Sequence, residues 1–86
     1  MKHKIRINGE VKELDCEFGS GILDKNGKEI FEGDKVTYID WVDGDEWQSE
    51  GVMEIYDLEF IIRDRSGVEL YPFAIKNLEI VGRVND

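Results

Sequence analysis

Cysteine and histidine are nearly missing from this chain: Cys16 and His3 stand alone. A single thiol forms no internal disulfide and assembles no thiolate set for zinc. Nucleophilic catalysis is left with one candidate pair, Cys16 with His3, and His3 lies near a terminus expected to fray. Alternation along residues 11–18 puts Cys16 beside Leu14 and Phe18, as a small buried hydrophobe. No apolar run approaches the ~20 residues of a membrane helix. The start, Met1-Lys2-His3-Lys4-Ile5-Arg6-Ile7, is basic but lacks the apolar stretch of a signal peptide. A cytoplasmic location is expected. Glycines sit singly at turns, so no phosphate-cradling loop is present. Nothing in the chain calls for a cofactor or a resident metal, and no enzyme is expected.

Basic residues are also scarce. Eleven Lys and Arg face twenty Asp and Glu, for a net charge of −9. Unaided nucleic-acid binding is therefore not expected, since phosphate contacts need cations. The imbalance is local. Residues 1–16 carry four basic and three acidic side chains, whereas residues 17–50 carry three basic and ten acidic. Such a surface either keeps a small protein soluble or faces a basic partner.

What remains is β-pattern. At 86 residues the chain makes one domain. Lys4 to Ile7 alternates, turns at Asn8-Gly9, and alternation resumes from Val11. Gly19-Ser20-Gly21 reads as a bulge or corner. Asn26-Gly27 predicts a type I′ hairpin, with positive φ at both positions. Glu32-Gly33-Asp34 turns into a strand from Lys35 to Ile39. Apolar residues on both parities there predict two partly covered faces. Further strands are expected at residues 51–56, 59–64, 68–70 and 78–84, with turns at Asp57-Leu58 and Arg65-Ser66-Gly67. Pro72 opens a short 3-10 turn. The expected fold is all-β, a small SH3-like antiparallel barrel of about six short strands. Its expected core is Ile22, Ile30, Val36, Tyr38, Val52, Ile55, Phe60, Ile62, Leu70, Phe73, Leu78, Ile80 and Val84. A barrel left open at an edge, with strand 35–39 apolar on both parities, predicts a homo-oligomer.

One block carries a family likeness. Asp24-Lys25-Asn26-Gly27-Lys28-Glu29-Ile30-Phe31-Glu32-Gly33-Asp34-Lys35-Val36 resembles the signature of the YopX family of phage and prophage proteins. Gly51-Val52-Met53-Glu54 and Glu79-Ile80-Val81-Gly82-Arg83-Val84 resemble its later strands. The likeness spans residues 18–84, and residues 1–17 form a divergent N-terminal hairpin. It implies a small, mostly-β accessory protein working in a bacterial host cell, and it implies no catalytic residues.

Residues 40–50 hold five carboxylates, two tryptophans and no basic side chain. They read as a long hairpin loop. Their spacing does not match a calcium-binding EF-hand loop. Trp41 and Trp47 either cover the open side of the barrel or stand exposed as contact anchors. Trp41, directly following a strand, is expected to cover. Trp47, among Asp45, Glu46 and Gln48, is expected to be exposed. The candidate partner-binding set is Trp41, Asp43, Asp45, Glu46 and Trp47. A non-enzymatic protein-binding module follows, with a nucleic-acid-associated small barrel as the alternative.

Overall fold

A computed structural model describes residues 2–84. The strands are β1 (Lys2–Ile7), β2 (Glu10–Asp15), β3 (Gly19–Leu23), β4 (Glu29–Phe31), β5 (Asp34–Val42), β6 (Asp45–Tyr56), β7 (Glu59–Asp64), β8 (Glu69–Leu70) and β9 (Lys76–Arg83). A 3-10 turn at Pro72–Ala74 separates the last two. Strands β1–β2 and β3–β4 are two-stranded hairpins. The others form one sheet in the order β8-β7-β6-β5-β9, and every pairing is antiparallel. The all-β expectation holds. The expected count of about six strands does not, because the hairpins add strands of their own. No closed barrel is found among the described residues. The physical reason lies in β8, which is two residues long. Pro72 follows almost at once, has no N–H to offer a ladder, and starts the 3-10 turn. No helix among the described residues is long and apolar enough to cross a membrane.

The turns explain much of the sequence. Asn8 and Gly9 have φ of 50° and 83°. They join Ile7 to its partner Glu10 in the expected type I′ geometry. Asn26-Gly27 is different, since positive φ appears at Gly27 and not at Asn26. Here Gly27 N–H donates to Asp24 O at 3.0 Å, and Asp24 N–H donates to Lys28 O at 2.7 Å. The Asp24 side chain decides the outcome. Its Oδ1 accepts the N–H groups of Asn26 and Lys28, both at 2.9 Å. Asx bonding of this kind holds the residues after Asp24 in a type I turn, and Gly27 then takes the left-handed position. Residues 64–68 repeat the device. Asp64 Oδ1 accepts from Ser66 at 2.8 Å and from Val68 at 2.9 Å, with Gly67 at φ 85°.

Asp24 also reaches across the fold. Its Oδ2 accepts Ile80 N–H at 3.2 Å, while Lys25 N–H donates to Leu78 O at 2.7 Å. The β3–β4 turn thus caps part of the outer edge of β9. The Asp24 carboxyl is held below its ordinary 3.8, chiefly by the Lys28 N–H, against the opposing effect of burial, and further by Ile80 and Asn26. A folded-state value below the unfolded one gives stability that is present above 3.8 and lost as pH falls through the lowered value. Denaturant midpoints measured through the acid range should therefore fall more steeply for the native chain than for Asp24→Asn. Parallel acid profiles would refute this.

The core is built on one face of the sheet. Ile30, Val36, Tyr38, Met53, Ile62 and Leu78 form the buried cluster, with Ile22, Phe60, Leu70, Ile75 and Ile80 packed against it. Four expected core residues fall outside it. Val52 is paired with Lys35, so both lie on the face opposite Val36, and Met53 takes the inward place instead. Ile55 is half-buried near the far end of β6. Phe73 is 84% exposed, because the 3-10 turn buries Pro72 and turns its next side chain outward. Val84 lies just beyond the end of β9 and is exposed. Lys35, Thr37 and Ile39 are half-buried, so β5 is partly covered on both faces as expected.

His3, expected near a fraying end, is tied into the fold. Its Nε2 donates to Glu32 Oε1, and its ring stacks on Phe18 with centroids 4.0 Å apart. Glu32 is 1% exposed and also accepts Phe18 N–H at 2.8 Å. Phe18 O in turn accepts Glu32 N–H at 3.0 Å. This clasp ties the β1–β2 hairpin to the start of β5. Beyond it the hairpin projects, with β2 exposed along its whole length. Leu14 is therefore on the surface and Cys16 only half-buried, where a buried place was expected.

Candidate surface on the β5–β6 arm

Residues 40–50 are not a loop. Strands β5 and β6 run straight through them, pairing Ile39 with Gln48, Asp40 with Trp47, Trp41 with Glu46 and Val42 with Asp45. The turn is only Asp43-Gly44, with φ of 53° and 85°, a type I′ pair. Asp43-Gly44 was a usable turn signal in the sequence; the density of acids around it concealed the strands. Neither neighbouring strand follows the pair to its tip. Strand β9 begins opposite Ile39, and β7 ends opposite Gly51. The last part of the β5–β6 hairpin is therefore a free two-stranded arm.

Strand geometry sorts the candidate residues. Directly paired residues share a face, and neighbours along a strand alternate. Trp41 shares a face with Glu46, and Trp47 shares the other with Asp40. The two tryptophans are thus on opposite faces of the arm and cannot act as one patch. They are 62% and 58% exposed. Exposure was expected for Trp47. Trp41 was expected to cover the core, but along β5 it alternates with the core residues Val36 and Tyr38 and so lies on the opposite face, where the strand outruns the sheet. Asp43, Asp45 and Glu46 are exposed around the tip and make no ion pair among the described residues.

A groove of about 680 Å³ opens beside this arm. Ile39, Trp41, Leu70, Tyr71 and Ile75 give it an apolar floor, and Asp40, Glu46 and Glu69 supply acids against the single cation Lys76. Tyr38 also lines it. Burial pushes the Tyr38 phenol up, with Asp64 and Asp40 adding to the effect, so it stays protonated at neutral pH. Trp41 N–H, on this side of β5, donates to its neighbour Asp40 Oδ1 at 2.9 Å.

Two exposed features escaped the sequence reading. Tyr71 and Phe73 flank Pro72 and stack with centroids 5.8 Å apart, extending the aromatic surface from the groove. The pattern aromatic-Pro-aromatic was a usable signal, because a proline that starts a turn separates its flanking side chains from a strand's alternation. Leu58 sits at φ 68° and is 97% exposed, at a turn position that usually takes glycine.

Residues 24–36 have a different role. Asp24, Glu32 and Asp34 are the buried acids among the described residues, and all three come from this stretch. Each binds backbone N–H groups, Asp34 Oδ2 taking that of Phe31 at 2.8 Å. Asp24 and Asp34 hold turns, and Glu32 holds the clasp on the β1–β2 hairpin. Among the described residues no group of three or more His, Cys, Asp or Glu is placed to hold a metal ion. No family model matches this chain, and neither a curated protein nor a solved structure matches it.

Proposed function

We propose that this chain is a non-enzymatic protein-binding module of phage or prophage origin, and that it meets a basic partner on the β5–β6 arm. The observation that carries the reading is the arm itself: two largely exposed tryptophans on a projecting ribbon with four acids, Asp40, Asp43, Asp45 and Glu46, and no base. Large exposed aromatics act as anchors, and surrounding like charges steer an oppositely charged partner. The YopX kinship rests on residues 24–36, whose acids have the structural places just described. Kinship with SH3-like barrels belongs to the same proposal. It rests on a five-strand meander with a 3-10 turn before the last strand, which pairs back onto the first.

The test combines a melt with a capture. Trp41→Ala and Trp47→Ala, both on the free arm, should each change folding stability by no more than about 0.5 kcal/mol, as surface substitutions do. Each anchor should nonetheless cost about 2 kcal/mol or more of binding to the partner captured by the native chain. A melt lowered by many degrees, with capture intact, would make the tryptophans structural and sink the reading. The alternative, a nucleic-acid-associated factor, draws on the stacking aromatics Trp41, Tyr71 and Phe73. A mobility shift at low salt that salt reverses would favour it.

A further inference from the structure

Two unpartnered features of opposite character sit at opposite ends of β5. At its start, the Glu32 clasp launches the β1–β2 hairpin. Both of that hairpin's strands are edges. Ile5 and Ile7 lie on one face of β1, and Lys4 and Arg6 lie on the other. Ile7, Val11 and Leu14 are 44%, 63% and 40% exposed. Lys4 and Arg6 make no ion pair among the described residues. A two-stranded hairpin is marginally stable alone, so this one gains from being covered.

At the other end of β5 lies the apolar groove with its acidic rim. The length of β5 separates the two by roughly 26 Å at ~3.3 Å per residue. Beyond Ile39, β5 has no neighbour on the groove side, because β9 starts there. Trp41 N–H on that edge is held by a side chain rather than by a strand.

We propose that the groove receives β1 of a second copy of this chain, so that the molecules join head to tail. A strand entering edge-on brings Ile5 and Ile7 to the floor of Trp41, Leu70 and Ile75. It also brings Lys4 and Arg6 to Asp40 on the opposite face, and its backbone can add to the free edge of β5. The contact is heterologous, so it closes into a ring or extends as a chain. It rests on the arm being a contact surface, as in the reading above, and names a further copy as its occupant. The net charge of −9 opposes association at long range. Screening confines that repulsion to about 8 Å at physiological salt, while the local pairing is of opposite sign.

Sedimentation of the purified chain tests this. At ~100 μM, enough to reveal contacts down to the micromolar range, the native chain should exceed monomer mass. Two variants alter exposed positions only: Asp40→Lys, and Lys4→Glu with Arg6→Glu. Each should be monomeric alone, with an unchanged circular dichroism spectrum. Mixed together, they should assemble again, since every contact between the two variants pairs a cation with an acid. A monomeric native chain would overturn the inference. So would an assembly that both variants leave unchanged, or a mixture that stays monomeric. If the chain is monomeric but arm variants still lose a captured basic partner, the self-contact fails and the proposed function stands.

Discussion

Replacing Glu32 with alanine should lower folding stability by about 3 kcal/mol or more. The side chain is 1% exposed, and two groups depend on its Oε1. Phe18 N–H and His3 Nε2 would each lose a partner in a place that water reaches poorly. A buried polar group left unpaired costs about 1–3 kcal/mol, and groups bound to a charge lie toward the upper end. The truncation also leaves a void beside the stacked His3 and Phe18 rings. For a domain of this size each kcal/mol moves the melting temperature by about 4–8 °C, so a fall of about 12 °C or more is expected. The loss should be uneven. The β1–β2 hairpin is tied down through this clasp, so its amides should exchange fastest with solvent deuterium while those of β5 and β6 stay protected. Glu32→Gln keeps an acceptor for Phe18 N–H and should lose less. A melting temperature within about 2 °C of native for Glu32→Ala would show that the clasp contributes little.

Gly51→Ala is expected to cost about 3 kcal/mol, toward the upper end of overpacking effects. Gly51 is buried in β6, between β5 and β7. An added Cβ would lie 2.5 Å from Ile62 Cγ2 and 2.9 Å from Arg63 O. The first contact involves a core side chain with no exposed surface, and the second involves backbone. Neither can yield cheaply, because the β6–β7 ladder holds both in register. Gly51→Val should be worse and should reduce the yield of folded protein. Gly44→Ala serves as a contrast. Nothing lies within 4 Å of a Cβ there, so its cost comes only from the φ of 85°. Urea midpoints of the three variants, compared with the native chain, check the order. Gly51→Ala as stable as Gly44→Ala would contradict the packing argument.

Local chemistry was legible wherever one residue type has one conformational use. Asn8-Gly9, the bulge at residues 19–21, the turn at residues 32–33 and the 3-10 start at Pro72 were all readable, because left-handed glycine and N–H-less proline act within a few residues. Alternation also placed Val36, Tyr38, Ile62 and Leu78 inward. It erred at Val52, where apolar residues on both parities make two registers equally plausible. Pairing with Lys35 resolves that choice, and pairing is a long-range event.

The sequence by itself determined the all-β class, most of the turns, and the location of acids and tryptophans in residues 40–50. Only the tertiary structure decided that those residues are paired strands outrunning their sheet, because that depends on where β7 and β9 stop. It also decided that Trp41 and Trp47 face opposite ways, and that Glu32 meets His3 across 29 residues of chain. It decided that the five-stranded sheet stays open. Turn chemistry is a property of neighbours in sequence. Register, strand overhang and edge closure are set by which distant segments bury one another's apolar faces, and one segment's pattern does not carry that information.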